Sequence, residues 1–149
     1  MNYYIDIIDT TDDTHVTALE NASKNAIVLS HEGKDSKDDL AIVGSSLRFN
    51  MEVPMNANVD AAFIHLFTGD ETKYKVEIRK EADDTLIWQG FLLPDSYSEP
   101  WKSGVIFPEF EAVDGLGRLK GKFLADTYYS DEHSVADLIS QCLQLTGLQ

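Results

Sequence analysis

The stretch TKYKVEIRKEADDTLIWQGFLLPDSYSEPWKSGVIFPEFEAVDGLGRLK, residues 72–120, decides the fold. In its first part Tyr74, Val76 and Ile78 alternate with Lys73, Lys75, Glu77 and Arg79, the period of a strand with one face in the core and one in water. Glu81, Ala82, Asp83 and Asp84 interrupt that pattern with residues that tolerate turn geometry, and 85–93 resumes a strand, so the pair reads as a β-hairpin. In the second strand both alternating sets are apolar, Leu86, Trp88 and Leu92 against Ile87, Phe91 and Leu93. This predicts a central strand covered on both faces. Val76, Ile78, Leu86, Trp88, Phe91 and Phe110 are the expected core.

Beyond a turn at 94–100 the chain reads as a further strand over 105–113, with Pro108 at a bulge or edge because it has no N–H to give the ladder. A bulge there puts Val105 and Phe107 on one face with Phe110 and Ala112. Asp114-Gly115-Leu116-Gly117-Arg118-Leu119 follows, a strand ending in an acid and entering a short helical turn. It lacks the GxGxxG spacing and the Lys-Ser/Thr of phosphate loops, and an Asp at its mouth repels phosphate. The expected role of Asp114 is to cap the turn through backbone N–H groups.

LIWQGFLLPDSYSEPW followed by FEAVDGLGRLKG resembles a group of tail or baseplate proteins of Bacteroidetes phages and prophages, including crAss-like phages. The strand, Asp, short-helix ending is similar to that of baseplate-hub and tail-associated proteins. The likeness extends more weakly over VTAL near Val16, AIVLSHEG near Ala26 and IVGSSLRFNM near Ile42, and it departs at Ala82-Asp83-Asp84, where a tighter Asp-Gly turn is expected. The resemblance implies a non-enzymatic structural component of the virion tail, made in the bacterial host cytoplasm. Its implied partners are other tail or baseplate proteins and copies of itself.

The composition fits that expectation. The 149 residues are 43% hydrophobic, enough for a core of ordinary size, and carry a formal net charge of −14. Such acidity argues against a phosphate-neutralising surface, so no direct nucleic-acid binding is expected. It suits either simple solubility or a surface lining a conduit through which DNA passes. The N-terminal MNYYIDIIDTTDD lacks the basic and long apolar regions of a signal peptide, and no apolar run approaches the roughly 18 residues of a membrane helix, so no membrane insertion is expected.

Elsewhere, strands are expected over 3–8, 16–19, 26–30 and 47–53, the last stopped by Pro54. Val59, Ala62, Phe63, Leu66 and Phe67 fall at helical spacing before Gly69, which predicts a short middle helix with His65 off its apolar stripe. The clearest helix begins after Ser134, where Ser134 and Asp137 form a capping box and Val135, Leu138, Ile139, Cys142 and Leu145 form one stripe. The fold class is therefore α+β: mainly antiparallel strands in a barrel or curved sheet, a short middle helix and a C-terminal helix. Residues 1–125 read as the β-rich domain, and 126–149 as a linker and helix that, since similar proteins continue past this point, begins a further region.

No catalytic, cofactor or metal residue is assigned. The histidines at 15, 31, 65 and 133 show no ligand spacing, the acidic loop 31–39 lacks the EF-hand pattern, and Cys142 has no evident cation to activate its thiol. Tyr97, Trp101, Tyr128 and Tyr129, near loops, are the candidate interface anchors. The alternative function is a carbohydrate-binding or glycan-degrading module of a tail tip, carried by an exposed Trp and the acids Asp95 and Glu99. The structural reading involves no small-molecule substrate.

Overall fold

The computed structural model of the chain describes residues 2–19, 27–31, 43–51, 64–93, 107–124 and 132–148. Seven strands lie in one sheet: β1 (Tyr3–Asp9), β2 (Thr14–Leu19), β3 (Ile27–His31), β4 (Ser45–Asn50), β5 (Tyr74–Lys80), β6 (Leu86–Leu92) and β7 (Glu109–Val113). Their order is β2-β1-β5-β6-β7-β4-β3, and each described pairing is antiparallel. A helix, α1 (Val135–Gln144), follows near the C-terminus. The sheet is open, with β2 and β3 as its two edges. This corrects the barrel alternative, since closure requires the two terminal strands to pair and each has one described neighbour.

The central hairpin forms as its alternation demands. Val76 stands opposite Gly90 and Ile78 opposite Trp88, which places β6 fourth of seven. Asp84 takes the left-handed conformation, with φ 55, that a glycine usually occupies in such a turn, and Asp84 N–H donates to the Lys80 carbonyl at 2.8 Å. The pairing slips between Ile78 and Arg79, so Leu86 faces Arg79 at the turn end of the hairpin. Leu86 is therefore exposed, at 40%, rather than in the core, and Ile87 is exposed as well. Both faces of β6 are covered only at its far end, from Gly90 to Leu92.

On the core face, rows of side chains cross the sheet: Ile5, Ile78 and Trp88 in one, Leu92, Ala112 and Leu47 in another. Phe49 and Phe110, cross-strand partners, stack with ring centroids 5.6 Å apart. Leu66, from a single 3-10 turn, Ile64–Leu66, joins this core, Phe67 just after the turn packs against it, and the Tyr74 hydroxyl donates to the His65 carbonyl at 2.9 Å. That turn is the described part of the expected middle helix; 52–63 lies outside the described residues. The last strand is shorter than its sequence suggests. β7 starts after Pro108, whose carbonyl accepts from Met51 N–H at 3.1 Å, and Phe107 is half exposed instead of sharing the buried face of Phe110 and Ala112. A residue without an N–H marks the start of the ladder here rather than a bulge within it.

Trp88 is held in place from two sides. Its Nε1–H donates to Ser45 Oγ at 2.8 Å. Its ring lies over Gly90, where a Cβ would come within 2.3 Å of the ring and 2.4 Å of the Val113 carbonyl oxygen. Trp88→Ala should lower stability by roughly 3–5 kcal/mol in chemical denaturation, and Leu86→Ala by much less. Equal losses would mean that the two side chains are packed alike.

Candidate functional site: an apolar groove beside the C-terminal helix

The site is assembled from the end of β7 outward. The Asp114 carboxylate accepts Ser45 N–H at 2.5 Å and Ser45 O–H at 2.9 Å through Oδ2, and Leu116 N–H at 3.0 Å through Oδ1. From the residue before the N-cap, Gly115, it thus binds the first N–H of the 3-10 turn Leu116–Leu119, part of the capping expected from sequence, and also ties that turn to the first residue of β4. Gly115 makes the entry at φ 77, the left-handed region open to glycine. Arg118 then reaches across to the C-terminal segment. Its Nη1–H donates to the Thr146 carbonyl at 2.7 Å, and its guanidinium lies 4.7 Å from the centroid of the Phe91 ring.

The helix itself starts at a complete capping box. Ser134 Oγ accepts Asp137 N–H at 3.1 Å, and Asp137 Oδ2 accepts Ser134 N–H at 3.2 Å. The Ser134 hydroxyl, followed by its backbone N–H, holds the Asp137 carboxyl below the usual aspartate range. At the other end Thr146 is buried and Gly147 packs beside Phe91 and Arg118. Between these two ends none of the helix residues is buried. The sequence stripe therefore exists but is open: Val135 is 73% exposed, and Ile139, Leu143 and Leu145 are also exposed.

A groove of about 520 Å³ runs between α1 and the turn, lined by Leu116, Leu119, Leu138, Ile139, Cys142 and Leu143 among others. A second, of about 440 Å³, lies on the other flank of the helix, so Ile139 and Leu143 form a ridge between two apolar troughs. Cys142 is a free, partly buried thiol within the first groove. This surface offers hydrophobic area and little hydrogen-bonding capacity, which suits a protein side-chain partner better than a polar ligand. Leu143, outside the stripe read from sequence, could have been found as the i+4 neighbour of Ile139.

Of the sequence-stated interface anchors, Tyr97, Trp101, Tyr128 and Tyr129 all lie outside the described residues, as do Asp95 and Glu99. Most of the acidic loop 31–39 does too. His65 is exposed, with its ring edge-on to Tyr74. No group of three or more His, Cys, Asp or Glu among the described residues is placed to hold a metal ion, and no helix among them is long and apolar enough to cross a membrane.

Two polar features were not legible as buried. Glu77, on the face expected to meet water, is only 3% exposed, with ion pairs to Lys75 Nζ at 3.0 Å and Arg79 Nη2 at 2.7 Å. Its cross-strand neighbours are Asp6 and Gln89, and Asp6 is buried with Oδ2 lying 2.5 Å from His15 Nδ1. The row is not fully satisfied among the described residues: Asp6 Oδ1 and Gln89 Oε1 are buried with no hydrogen-bond partner. Comparison with known protein families and with curated proteins returns no match for this chain.

Burial alone would raise the Glu77 carboxyl, but the hydrogen bonds from Lys75 and Arg79 outweigh it and hold the group below the ordinary glutamate range. A carboxyl depressed in the folded state adds stability above its unfolded value, and that contribution is lost as pH falls through the folded value. Thermal melts should therefore lose less stability on acidification from neutral pH for Glu77→Gln than for the wild type. Identical acid limbs would contradict the pairing.

Proposed function

We propose that this chain is a non-enzymatic structural component of a phage or prophage tail or baseplate, acting through protein–protein assembly. The observation that carries the assembly reading is the open apolar ridge of α1, exposed at Val135, Ile139, Leu143 and Leu145 although both ends of the helix segment are fixed. An apolar helix face beside two troughs gains free energy by burial against a partner, at about 25 cal/mol per Å² removed from water. The tail assignment is supported by the sequence resemblance over LIWQGFLLPDSYSEPW and FEAVDGLGRLKG. On this reading the partners are neighbouring tail proteins and further copies, and the location is the virion tail after synthesis in the host cytoplasm.

Charge shapes how such an assembly behaves. Copies each carrying −14 repel one another, and salt screens that repulsion over roughly 8–10 Å. The same charge disfavours duplex DNA, consistent with an acidic surface beside a conduit.

In light scattering, association should strengthen from low to moderate salt and weaken in the Ile139→Asp/Leu143→Asp variant. Mass spectrometry of purified tail particles from a strain carrying the gene should find the chain in them. Absence from the particles, or turnover in a glycan hydrolysis assay, would overturn the structural reading in favour of a glycan-directed module.

A further inference from the structure

We infer that β3 is a self-pairing edge, through which two copies of this chain join their sheets antiparallel about a two-fold axis at Leu29. The inference deepens the assembly reading, on which it rests for its purpose, by naming one partner and the surface that meets it.

Both β2 and β3 are edge strands. Edges are ordinarily protected by Lys or Pro, by a bulge, or by inward-pointing charge. The β2 side has such devices: its pairing with β1 slips between Ile7 and Ile8, and His15 is engaged with the buried Asp6. β3 has none of them. Its sequence IVLSH contains no Lys, Pro, Asp or Glu, and its pairing with β4 runs without a slip from Ile27 opposite Phe49 to His31 opposite Ser45. Residues 28–31 are exposed, Val28 at 48% and Leu29 at 38%. Among the described residues no hydrogen bond reaches the side of β3 that faces away from β4. A row of backbone donors and acceptors at strand spacing is matched by another extended backbone and by little else.

The core row indicates that the second strand is the same strand. Leu92 stands opposite Ala112, Ala112 opposite Leu47, and Leu47 opposite Leu29. The first three are at most 4% exposed, and the row then ends in the open at Leu29. An antiparallel copy centred on Leu29 sets Leu29 against its own counterpart, Ile27 against His31 of the copy, and Val28 against Ser30 of the copy. The apolar row continues into the second sheet, and the interface is isologous, as two-fold symmetry requires. Because β3 carries no Asp or Glu, two chains of net charge −14 meet without carboxylates directly opposed.

Sedimentation equilibrium of the full chain in moderate salt tests this. The wild type should form a dimer. Leu29→Lys, which ends the apolar row with a charge, should raise the concentration of half-dimerisation at least about tenfold, while the melting temperature of the monomer changes little because position 29 lies on an edge. Val28→Lys on the opposite face should act the same way and serves as the second variant. In wild-type hydrogen exchange, the amides of 28–30 should gain protection as concentration rises.

A wild-type monomer at every concentration and salt overturns self-pairing while leaving the tail-particle test of the assembly reading to stand or fall separately. Undiminished dimerisation of both Lys variants, or no concentration-dependent protection of 28–30, overturns the β3 edge but leaves assembly through α1 intact.

Discussion

The carboxylate of Asp114 is the point on which the rest of the structure depends. Its oxygens accept from the backbone and side chain of Ser45 and from the backbone of Leu116, while Ser45 in turn accepts from the Trp88 indole. A strand-end residue of β7 is thereby joined to the start of β4 and to the 3-10 turn, and the largest core side chain of β6 is locked to the same node. Asp114 N–H closes the loop by donating to the Ser45 carbonyl at 3.2 Å. Charge-assisted bonds of this kind are stronger than neutral ones, and losing the shared acceptor leaves several donors without partners at once.

The proposed function rests on what that node positions. Fixing the turn fixes Arg118, and Arg118 holds the end of the C-terminal segment against Phe91 through one hydrogen bond and a ring contact. The helix is thus attached by its far end and begun by its own capping box, which leaves its apolar ridge standing clear of the sheet. A surface of that kind is held in shape before any partner arrives, so little ordering cost is left for association. At one edge of the sheet, β3 offers its backbone together with the exposed side chains of Val28 and Leu29. The two surfaces are chemically distinct, and the proposed assembly would use them for two different contacts.

Strand periodicity made most of the fold legible because the sheet buries one face and alternation reports that directly. The hairpin 74–92, the central place of β6, the capping role of Asp114 and the capping box of Ser134 all follow from residue types at fixed spacing. The failures share a cause: they depend on register, strand ends and side-chain pairing that alternation alone does not report. Leu86 reads as core until the slip beside Arg79 turns it outward, and Glu77 reads as solvated until Lys75 and Arg79 enclose it. Phe107 looks like a core neighbour of Phe110 only if Pro108 sits inside a strand, whereas the ladder starts after it. Likewise the stripe of α1 is correct as a pattern, but periodicity cannot say whether the sheet covers it. The aromatic anchors chosen from sequence lie in 94–106 and 125–131, outside the described residues, and the apolar groove emerged instead from the turn 116–119 and the stripe of α1.

The most direct measurement is a double-mutant cycle on Ser45→Ala and Asp114→Ala, with stability read by chemical denaturation. If the two residues form the node described here, their effects couple by about 0.5–3 kcal/mol, the range for residues that share a hydrogen-bond network. Additivity within about 0.3–0.5 kcal/mol would show them to act independently, and would contradict the claim that Asp114 joins β4, β7 and the turn into one unit.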